Sequence, residues 1–154
     1  MIKKIVSITS FLIFLSALSS WAQLYKSALG IRIGDSQGIN YKTFVASKNA
    51  IEGILTIDNG GFGITGLYEI HGAAFSSRDF NWYIGGGGHL YSYGNGYYHH
   101  NNGLVVGLDG IIGIEGKIRS IPLAIGLDWK PAFNIINASS LHTNAIGLSV
   151  RYCF

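Results

Sequence analysis

The last ten residues, Ala145–Phe154 with the sequence AIGLSVRYCF, decide the fold class of this chain. Large apolar side chains alternate there with small or charged ones. The large apolar set is Ile146, Leu148, Val150, Tyr152 and Phe154, and the other set is Ala145, Gly147, Ser149, Arg151 and Cys153. Successive side chains of a β-strand point to opposite faces of the sheet, so this alternation predicts a strand with one apolar and one mostly polar face.

The two preceding segments show the same pattern. In residues 123–130, the apolar residues Leu123, Ile125, Leu127 and Trp129 alternate with Ala124, Gly126, Asp128 and Lys130. The segment 104–118 is a stricter test, because its three charged residues, Asp109, Glu115 and Lys117, all have the same parity. A charge on the lipid-facing side of a membrane strand costs free energy, so a shared parity favours one charged face and one lipid-facing face.

Five earlier segments complete a set of eight predicted strands. They cover residues 29–34, 39–43, 51–58, 62–71 and 82–90. Ile54 is the exception, because it carries a large apolar side chain on the polar parity. In a soluble β-sandwich the charges would lie on the outer face of each sheet. Here the charges share one face of each strand with small residues, and the large apolar side chains occupy the other face. The sequence therefore predicts an all-β fold, an eight-stranded antiparallel up-and-down transmembrane β-barrel.

The composition agrees with an apolar environment. Charged residues make up 12% of the chain and aromatic residues 13%, whereas soluble domains contain about 25% charged residues. After residue 22 the sequence has no apolar run of the roughly 18 residues that a membrane helix requires. A chain that is apolar on average but never in a long run is typical of a membrane barrel.

The N-terminus predicts export. Lys3 and Lys4 precede an apolar run over residues 5–18, and Ser20 and Ala22 supply a small-residue cleavage site. This is the three-part pattern of a secretory signal peptide, so we expect cleavage between residues 22 and 23. The apolar run is shorter than the roughly 20 residues of a membrane-spanning helix. Residues 1–22 are thus the predicted signal peptide and residues 23–154 the barrel domain.

The net charge argues against nucleic-acid binding, and the cysteine content excludes an intramolecular disulfide. Without Lys3 and Lys4, nine basic residues remain against eight acidic residues, a net charge of +1. That balance does not favour nucleic-acid binding. Cys153 is the only cysteine, so an intramolecular disulfide is excluded.

The polar parity collects five basic and five acidic residues. An eight-stranded barrel has an interior just wide enough for side chains, and buried charges persist there only when they are paired. We therefore expect a lattice of ion pairs that fills the lumen; the sharper alternative is a proton or ion path. The ten residues are Arg32, Lys42, Glu52, Glu69, Asp109, Glu115, Lys117, Asp128, Lys130 and Arg151.

The connections are predicted to alternate between the two sides of the membrane. Outer loops are expected at 35–37, 58–61, 92–103 and 134–143, and periplasmic turns at 47–49, 73–80 and 119–120. The third outer loop is rich in tyrosine, histidine and asparagine, which suit adaptable binding. The candidate recognition residues are Tyr93, Tyr97, Tyr98, His99 and His100. A solvated loop without a ligand and a surface metal site are the alternatives.

No motif predicts catalysis or a cofactor. Residues 61–66 match G-x-G-x-x-G, but a strand follows where dinucleotide binding requires a helix. Ser139, Ser140 and His142 come nearest to a catalytic triad, without a carboxylate beside them in sequence. His71 and His89 share the inward parity, and we interpret them as members of the lattice. We expect no catalytic residue, no metal and no cofactor.

The chain resembles the small OmpA/OmpX-like outer-membrane β-barrels of Gram-negative bacteria, in particular short members that consist of the barrel alone. The resemblance implies a transmembrane barrel without a periplasmic domain and supplies no catalytic residue. The C-terminal Phe154 resembles the signal that the barrel-assembly machinery recognises. The segments that carry the resemblance are AIEGIL (50–55), LYEIH (67–71), NWYIGGGGH (81–89), GLDGIIGIEGKI (107–118), IPLAIGLDWKPAFNII (121–136) and GLSVRYCF (147–154).

These observations predict a non-enzymatic protein of the outer membrane with a structural, adhesive or recognition role through its outer loops. The expected partners are outer-membrane lipid and, during folding, the barrel-assembly machinery; we expect a monomer and no nucleic acid. The alternatives are a lipid-modifying enzyme with Ser and His near the outer rim and, less favoured, a narrow channel.

Overall fold

The computed structural model describes residues 24–58, 61–93, 103–136 and 140–154. The predicted signal peptide lies outside these ranges, so its cleavage stays a prediction. No helix in the described residues is long and apolar enough to cross a membrane. The strands are β1 (Ser27–Gly34), β2 (Gly38–Phe44), β3 (Asn49–Asp58), β4 (Gly61–Ala73), β5 (Phe80–Tyr93), β6 (Leu104–Ile118), β7 (Leu123–Trp129), β8 (Ala132–Ile136), β9 (Ser140–His142) and β10 (Ile146–Cys153).

The strands form one closed antiparallel sheet. β1 to β6 pair in sequence order, and β1 pairs with β10, which pairs with β7. β7 and β8 both pair with β6, so they form one wall strand that is interrupted at Lys130 and Pro131. β9 and β10 form the next wall strand in the same way, because they pair with β8 and β7. The wall thus has eight strands, and the predicted eight-stranded antiparallel barrel is confirmed.

The region predicted as the fourth outer loop, residues 134–143, is not a simple loop. Most of its described residues extend the wall, because β8 and β9 form an antiparallel hairpin in which Asn134 faces Ser140. The prediction was wrong because asparagine and serine are common in loops. Here the long strand β6 supplies the hydrogen-bonding edge on which β8 pairs.

The two faces of the wall differ as the alternation predicts. In β10, exposed and buried residues alternate over the whole strand. Ile54, the exception to the pattern, is 2% exposed and packs in the lumen with Leu67, Tyr83 and Ile111. The lumen therefore contains an apolar layer beside its charges, and Ile54 continues the strand without a change of register.

The two ends of the barrel are named here for reference. The base comprises residues 24–26, 45–48, 74–79, 119–122 and 154, and the mouth comprises residues 35–37 and the β8–β9 hairpin. Tyr25 and Phe44 lie edge to face near the base, with ring centroids 5.4 Å apart. They pack with alanines and the buried Cys153, so an apolar cluster closes the lumen at the base.

Candidate functional site

The charged residues of the wall lie inside the barrel. They occupy inward positions of the strands, where the neighbouring outward positions carry large apolar side chains. Eight of the ten predicted lumen charges are at most 5% exposed. The eight are Arg32, Lys42, Glu52, Glu69, Asp109, Glu115, Asp128 and Arg151.

Five of these side chains form what we call the central network. The Arg151 guanidinium binds Glu52, with Nη2 2.9 Å from Oε1, and also binds Glu115 through Nη1. The Lys42 ammonium lies 3.1 Å from Glu52 Oε2 and 2.7 Å from Glu69 Oε2. Acids and bases therefore alternate in the order Glu69, Lys42, Glu52, Arg151 and Glu115. This chain of ion pairs crosses the bore from β4 to β6.

Neutral side chains add hydrogen bonds to the three carboxylates of the central network. The Tyr25 hydroxyl donates to Glu115 Oε1 at 2.8 Å, and Asn40 Nδ2 donates to Glu52 Oε1 at 2.6 Å. His71 Nε2 lies 2.9 Å from Glu69 Oε2. Three carboxylates face only two cations, so these hydrogen bonds stabilise the remaining negative charge in a buried site. Sequence reasoning missed Tyr25, which precedes β1.

A second buried ion pair joins β1 to β7. Arg32 Nη1 lies 2.6 Å from both carboxylate oxygens of Asp128, and the Tyr83 hydroxyl donates to Asp128 at 3.1 Å. The Arg32 guanidinium lies over Gly147, where a Cβ atom would collide with it. Gly113 has the same relation to the Tyr83 ring. Inward glycines thus provide the room in which the long lumen side chains lie against the wall.

A third group, the mouth network, lies near the β8–β9 hairpin. Asp109 binds Lys130 at 2.8 Å through Oδ1 and His89 Nδ1 at 2.7 Å through Oδ2. His89 Nε2 lies 2.9 Å from Asn134 Oδ1, and Asn134 Nδ2 donates to Ser140 Oγ at 3.1 Å. These bonds link β5, β6, β8 and β9 across the inner side of the mouth.

Nine of the ten predicted lumen charges take part in these ion pairs. Lys117 differs from the others, because its side chain is half-buried and makes no ion pair with a described residue. It lies two residues from Arg119, which belongs to the turn at the base. The parity of Lys117 predicted that its side chain is on the inward face of the wall. Lys117 lies near the end of β6 at the base, and it is therefore outside the networks.

The predicted recognition loop lies almost wholly outside the described residues. Tyr93 ends β5, and its backbone pairs with Gly61. Tyr97, Tyr98, His99 and His100 fall in the part of the chain that the structure does not describe. Their role in recognition stays a prediction.

Ser140 and His142 are neighbours in space, with Ser140 Oγ 3.2 Å from His142 Nε2. Ser139 lies outside the described residues. Within the described part of the chain no carboxylate hydrogen-bonds to His142, and Asp109 is already bound to Lys130 and His89. A triad needs a third group that orients the histidine. Nor do three or more His, Cys, Asp or Glu residues of the described ranges converge as a metal site would require.

Comparison with known proteins supports the architecture. No protein-family model matches the chain, and no curated protein matches it in sequence. Among solved structures it is similar to the N-terminal β-barrel domain of Pseudomonas aeruginosa OprF, with a TM-score of 0.63 and 10% sequence identity. The alignment covers 83% of this chain and 95% of that domain. At this identity the similarity shows a shared barrel fold.

Proposed function

We propose that this protein is an integral outer-membrane β-barrel with a sealed lumen and a structural or recognition role, and that it is not an enzyme. The observation that carries the proposal is the distribution of charge between the two faces of the wall. Among the described strands, no outward position within a strand carries an ionisable Asp, Glu, Lys or Arg side chain, whereas the inward side of the wall carries nine paired charges.

The apolar outer face supports a lipid environment. Ile31 is 58% exposed, Leu55 50% and Leu127 48%. The outward positions of the neighbouring strands also carry exposed large apolar side chains. A soluble monomer rarely exposes an apolar patch of more than a few hundred Å². A band of such residues around a closed barrel is the surface that hydrocarbon covers. The similarity to the OprF barrel domain supports the closed barrel fold on which this location depends.

The filled bore supports a structural role over that of a channel. Arg151 on β10 binds β3 and β6, and Lys42 on β2 binds β3 and β4, so buried ion pairs connect five strands inside the lumen. Ion passage would require several buried pairs to separate, which costs several kcal/mol for each uncompensated charge. We therefore expect no ion conductance in planar bilayers, and steady conductance would favour the channel alternative.

The proposed recognition role belongs to the mouth. Export by the predicted signal peptide, followed by insertion through the barrel-assembly machinery, would place the base in the periplasm and the mouth outside. The long connection between β5 and β6 then carries Tyr97, Tyr98, His99 and His100 to the cell surface. Replacing residues 94–102 with a short Gly-Ser linker tests this role. A folded variant with unchanged cell-surface binding and unchanged envelope integrity would contradict it.

The location is tested by gel electrophoresis of outer-membrane fractions with and without boiling. A folded membrane barrel resists dodecyl sulfate until it is heated, so we expect a heat-dependent change in migration in that fraction. The denatured chain, refolded with phosphatidylcholine vesicles, should show the same shift. A protein that is found in the soluble periplasmic fraction and shows no shift would overturn the proposal.

The lipid-modifying alternative is tested separately. Unchanged lipid A in a deletion strain would argue against it.

A further inference from the structure

The charges outside the lumen are distributed unequally between the two ends of the barrel. The base carries Lys26, Lys48, Arg78 and Arg119 against the single acid Asp79, a net side-chain charge of +3. Among the described residues of the mouth, Asp35 is the one charged side chain, which gives a net side-chain charge of −1. Such an asymmetry creates a positive potential at the base, which attracts anions.

Exposed aromatic and apolar side chains lie at the base together with these charges. Phe75 is 79% exposed, which is more than any other large apolar side chain of the described residues. Phe154 is 63% exposed, Tyr152 55% and Ile121 44%. Aromatic side chains are enriched where a membrane meets water, because one part of the ring system contacts hydrocarbon and the rest lies among head groups.

The turn that carries Phe75 has an unfavourable backbone conformation. Phe75 and Ser76 have φ angles of 54° and 53°, and the Ser77 amide donates to the Ala74 carbonyl at 3.1 Å. Two consecutive left-handed residues normally require Asn and Gly, because a Cβ atom disfavours this region. Phe75 nevertheless occupies it and packs edge to face on Phe80, with ring centroids 6.2 Å apart. This geometry holds an exposed ring beside the first outward residue of β5.

Arg119 lies on the adjacent turn with its side chain 76% exposed. Its Nε donates to Asp79 Oδ1 at 2.7 Å, and this hydrogen bond raises the pKa of the Arg119 guanidinium above its usual value. Asp79 is the one described residue with which the Arg119 guanidinium forms an ion pair. A guanidinium presents a planar fork that matches the geometry of a phosphate group, so this side chain is oriented and still available to an anion.

We infer that the base binds the phosphate groups of anionic phospholipids, with Lys26, Lys48, Arg78 and Arg119 as the cationic ring and Phe75 among the acyl chains. The inference rests on the proposed function, since it requires the barrel to cross a bilayer. A bilayer is favoured over a soluble anion because the basic side chains and the exposed aromatic side chains lie together at one end of the apolar band. A basic residue near an anionic membrane surface contributes roughly a fivefold preference.

The chain contains suitable reporters for a test. Trp82 lies on the outward face of β5 near the base, and Trp129 lies at the end of β7 toward the mouth. The experiment uses residues 23–154, which lack Trp21 of the predicted signal peptide, in two single-tryptophan forms, W129F and W82F, in phosphatidylcholine vesicles. Brominated phosphatidylglycerol or brominated phosphatidylcholine is then added in equal amounts, and the quenching of tryptophan fluorescence gives the relative association of each lipid.

We expect brominated phosphatidylglycerol to quench Trp82 with at least a fivefold higher relative association than brominated phosphatidylcholine (about fivefold for each engaged charge). At Trp129 the two lipids should quench alike. The double substitution R78Q/R119Q should bring the ratio at Trp82 close to one, whereas R78K/R119K should retain it. Asp79→Asn removes the competing carboxylate and should raise the ratio. High salt should lower it in every form.

The outcomes separate the two proposals. Equal quenching of Trp82 by both lipids, or a preference that R78Q/R119Q leaves unchanged, would overturn the inference and leave the membrane barrel intact. Quenching of neither tryptophan by either lipid would show that the chain does not insert, and would overturn the proposed function itself. The heat-dependent gel shift verifies that each variant is folded.

Discussion

Val150 and Arg151 are consecutive residues of β10, yet they lie in opposite environments. Val150 is 36% exposed on the outer face, while Arg151 is fully buried and binds Glu52 and Glu115. The same reversal holds along the strand for Leu148 and Ser149. In a soluble protein the charged side chain would face outward. The comparison shows that the outer face of the wall, and not the interior, is the side without charge, as the proposed membrane location requires.

Glycines show the same difference between the faces. A Cβ atom at the inward Gly147 would collide with the Arg32 guanidinium, whereas a Cβ atom at the outward Gly53 would meet no atom within 4 Å. Glycine is therefore a packing requirement at position 147 inside the barrel, whereas position 53 outside it has room for a larger side chain. Substitutions that exchange the properties of the two faces test this contrast.

The largest effect is expected for Arg151→Met. The substitution leaves Glu115 buried without a cation and Glu52 with Lys42 alone, and breaking a buried ion pair from one side costs about 3–5 kcal/mol. Urea unfolding of the barrel in vesicles measures the loss. Arg119→Met is the matched control, since its ion pair with Asp79 lies in solvent at the base, and we expect its unfolding midpoint to be unchanged. Equal effects of the two substitutions would mean that the central network does not stabilise the fold.

The outer face is tested by a charge placed at mid-height. Ile31→Arg lies in the middle of the outward face of β1 and should cost roughly 2–4 kcal/mol in a bilayer. The same substitution at Ile121, in the turn at the base, should cost only about 0–1 kcal/mol, because the side chain reaches water. Unfolding free energies in vesicles compare the two positions. An I31R variant as stable as the unsubstituted barrel would contradict a lipid-covered face.

The glycine contrast predicts a smaller effect. Gly147→Ala places a methyl group against Arg32, and overpacking of this kind costs about 1–3 kcal/mol. Gly53→Ala adds a methyl group in open space and should stabilise the strand by about 0.5–1 kcal/mol, since glycine weakens a strand interior. Both values follow from urea unfolding. A destabilised G53A together with a neutral G147A would reverse the assignment of the two faces.

The smallest effect is expected at the base. Ser76→Gly removes the cost of a left-handed non-glycine residue, which is about 1–2 kcal/mol. Glycine also makes the unfolded chain more flexible, and this lowers the free energy of unfolding by about 0.4–1 kcal/mol. The net change should be a slight stabilisation. Ser36→Gly, in a turn without a positive φ, should instead be slightly destabilising. Paired unfolding curves distinguish the two signs.

The strand pattern of this chain could be predicted to a large extent. Strict alternation in β10 and the shared parity of Asp109, Glu115 and Lys117 were enough for the fold class. The β8–β9 hairpin was not predicted, because its asparagine and serine residues resemble loop residues and its pairing depends on the length of β6. Ile54 breaks the parity pattern, and its place in the lumen was not predicted because sequence alone does not show that part of the lumen is apolar.

The sequence predicted which face of the wall carries the charged residues, but not which of these residues bind each other. Parity placed the ten charges on one face, and the structure brings nine of them into ion pairs while Lys117 lies beyond the networks. Which acid meets which base depends on the stagger of strands around the closed barrel, a relation between residues far apart in the chain. Tyr25 joins Glu115 across 90 positions, and no local pattern contains that information.

The sequence by itself thus determined which side chains face inward, because a strand has a period of two and the charged residues of each strand share one parity. Only the tertiary structure decided the partners of those side chains and the glycines on which they lie. Closure of the sheet sets the distance across the bore, and that distance allows Arg151 to reach Glu52 and Glu115 together. Pairing inside the barrel is a property of the closed wall, whereas alternation is a property of each strand.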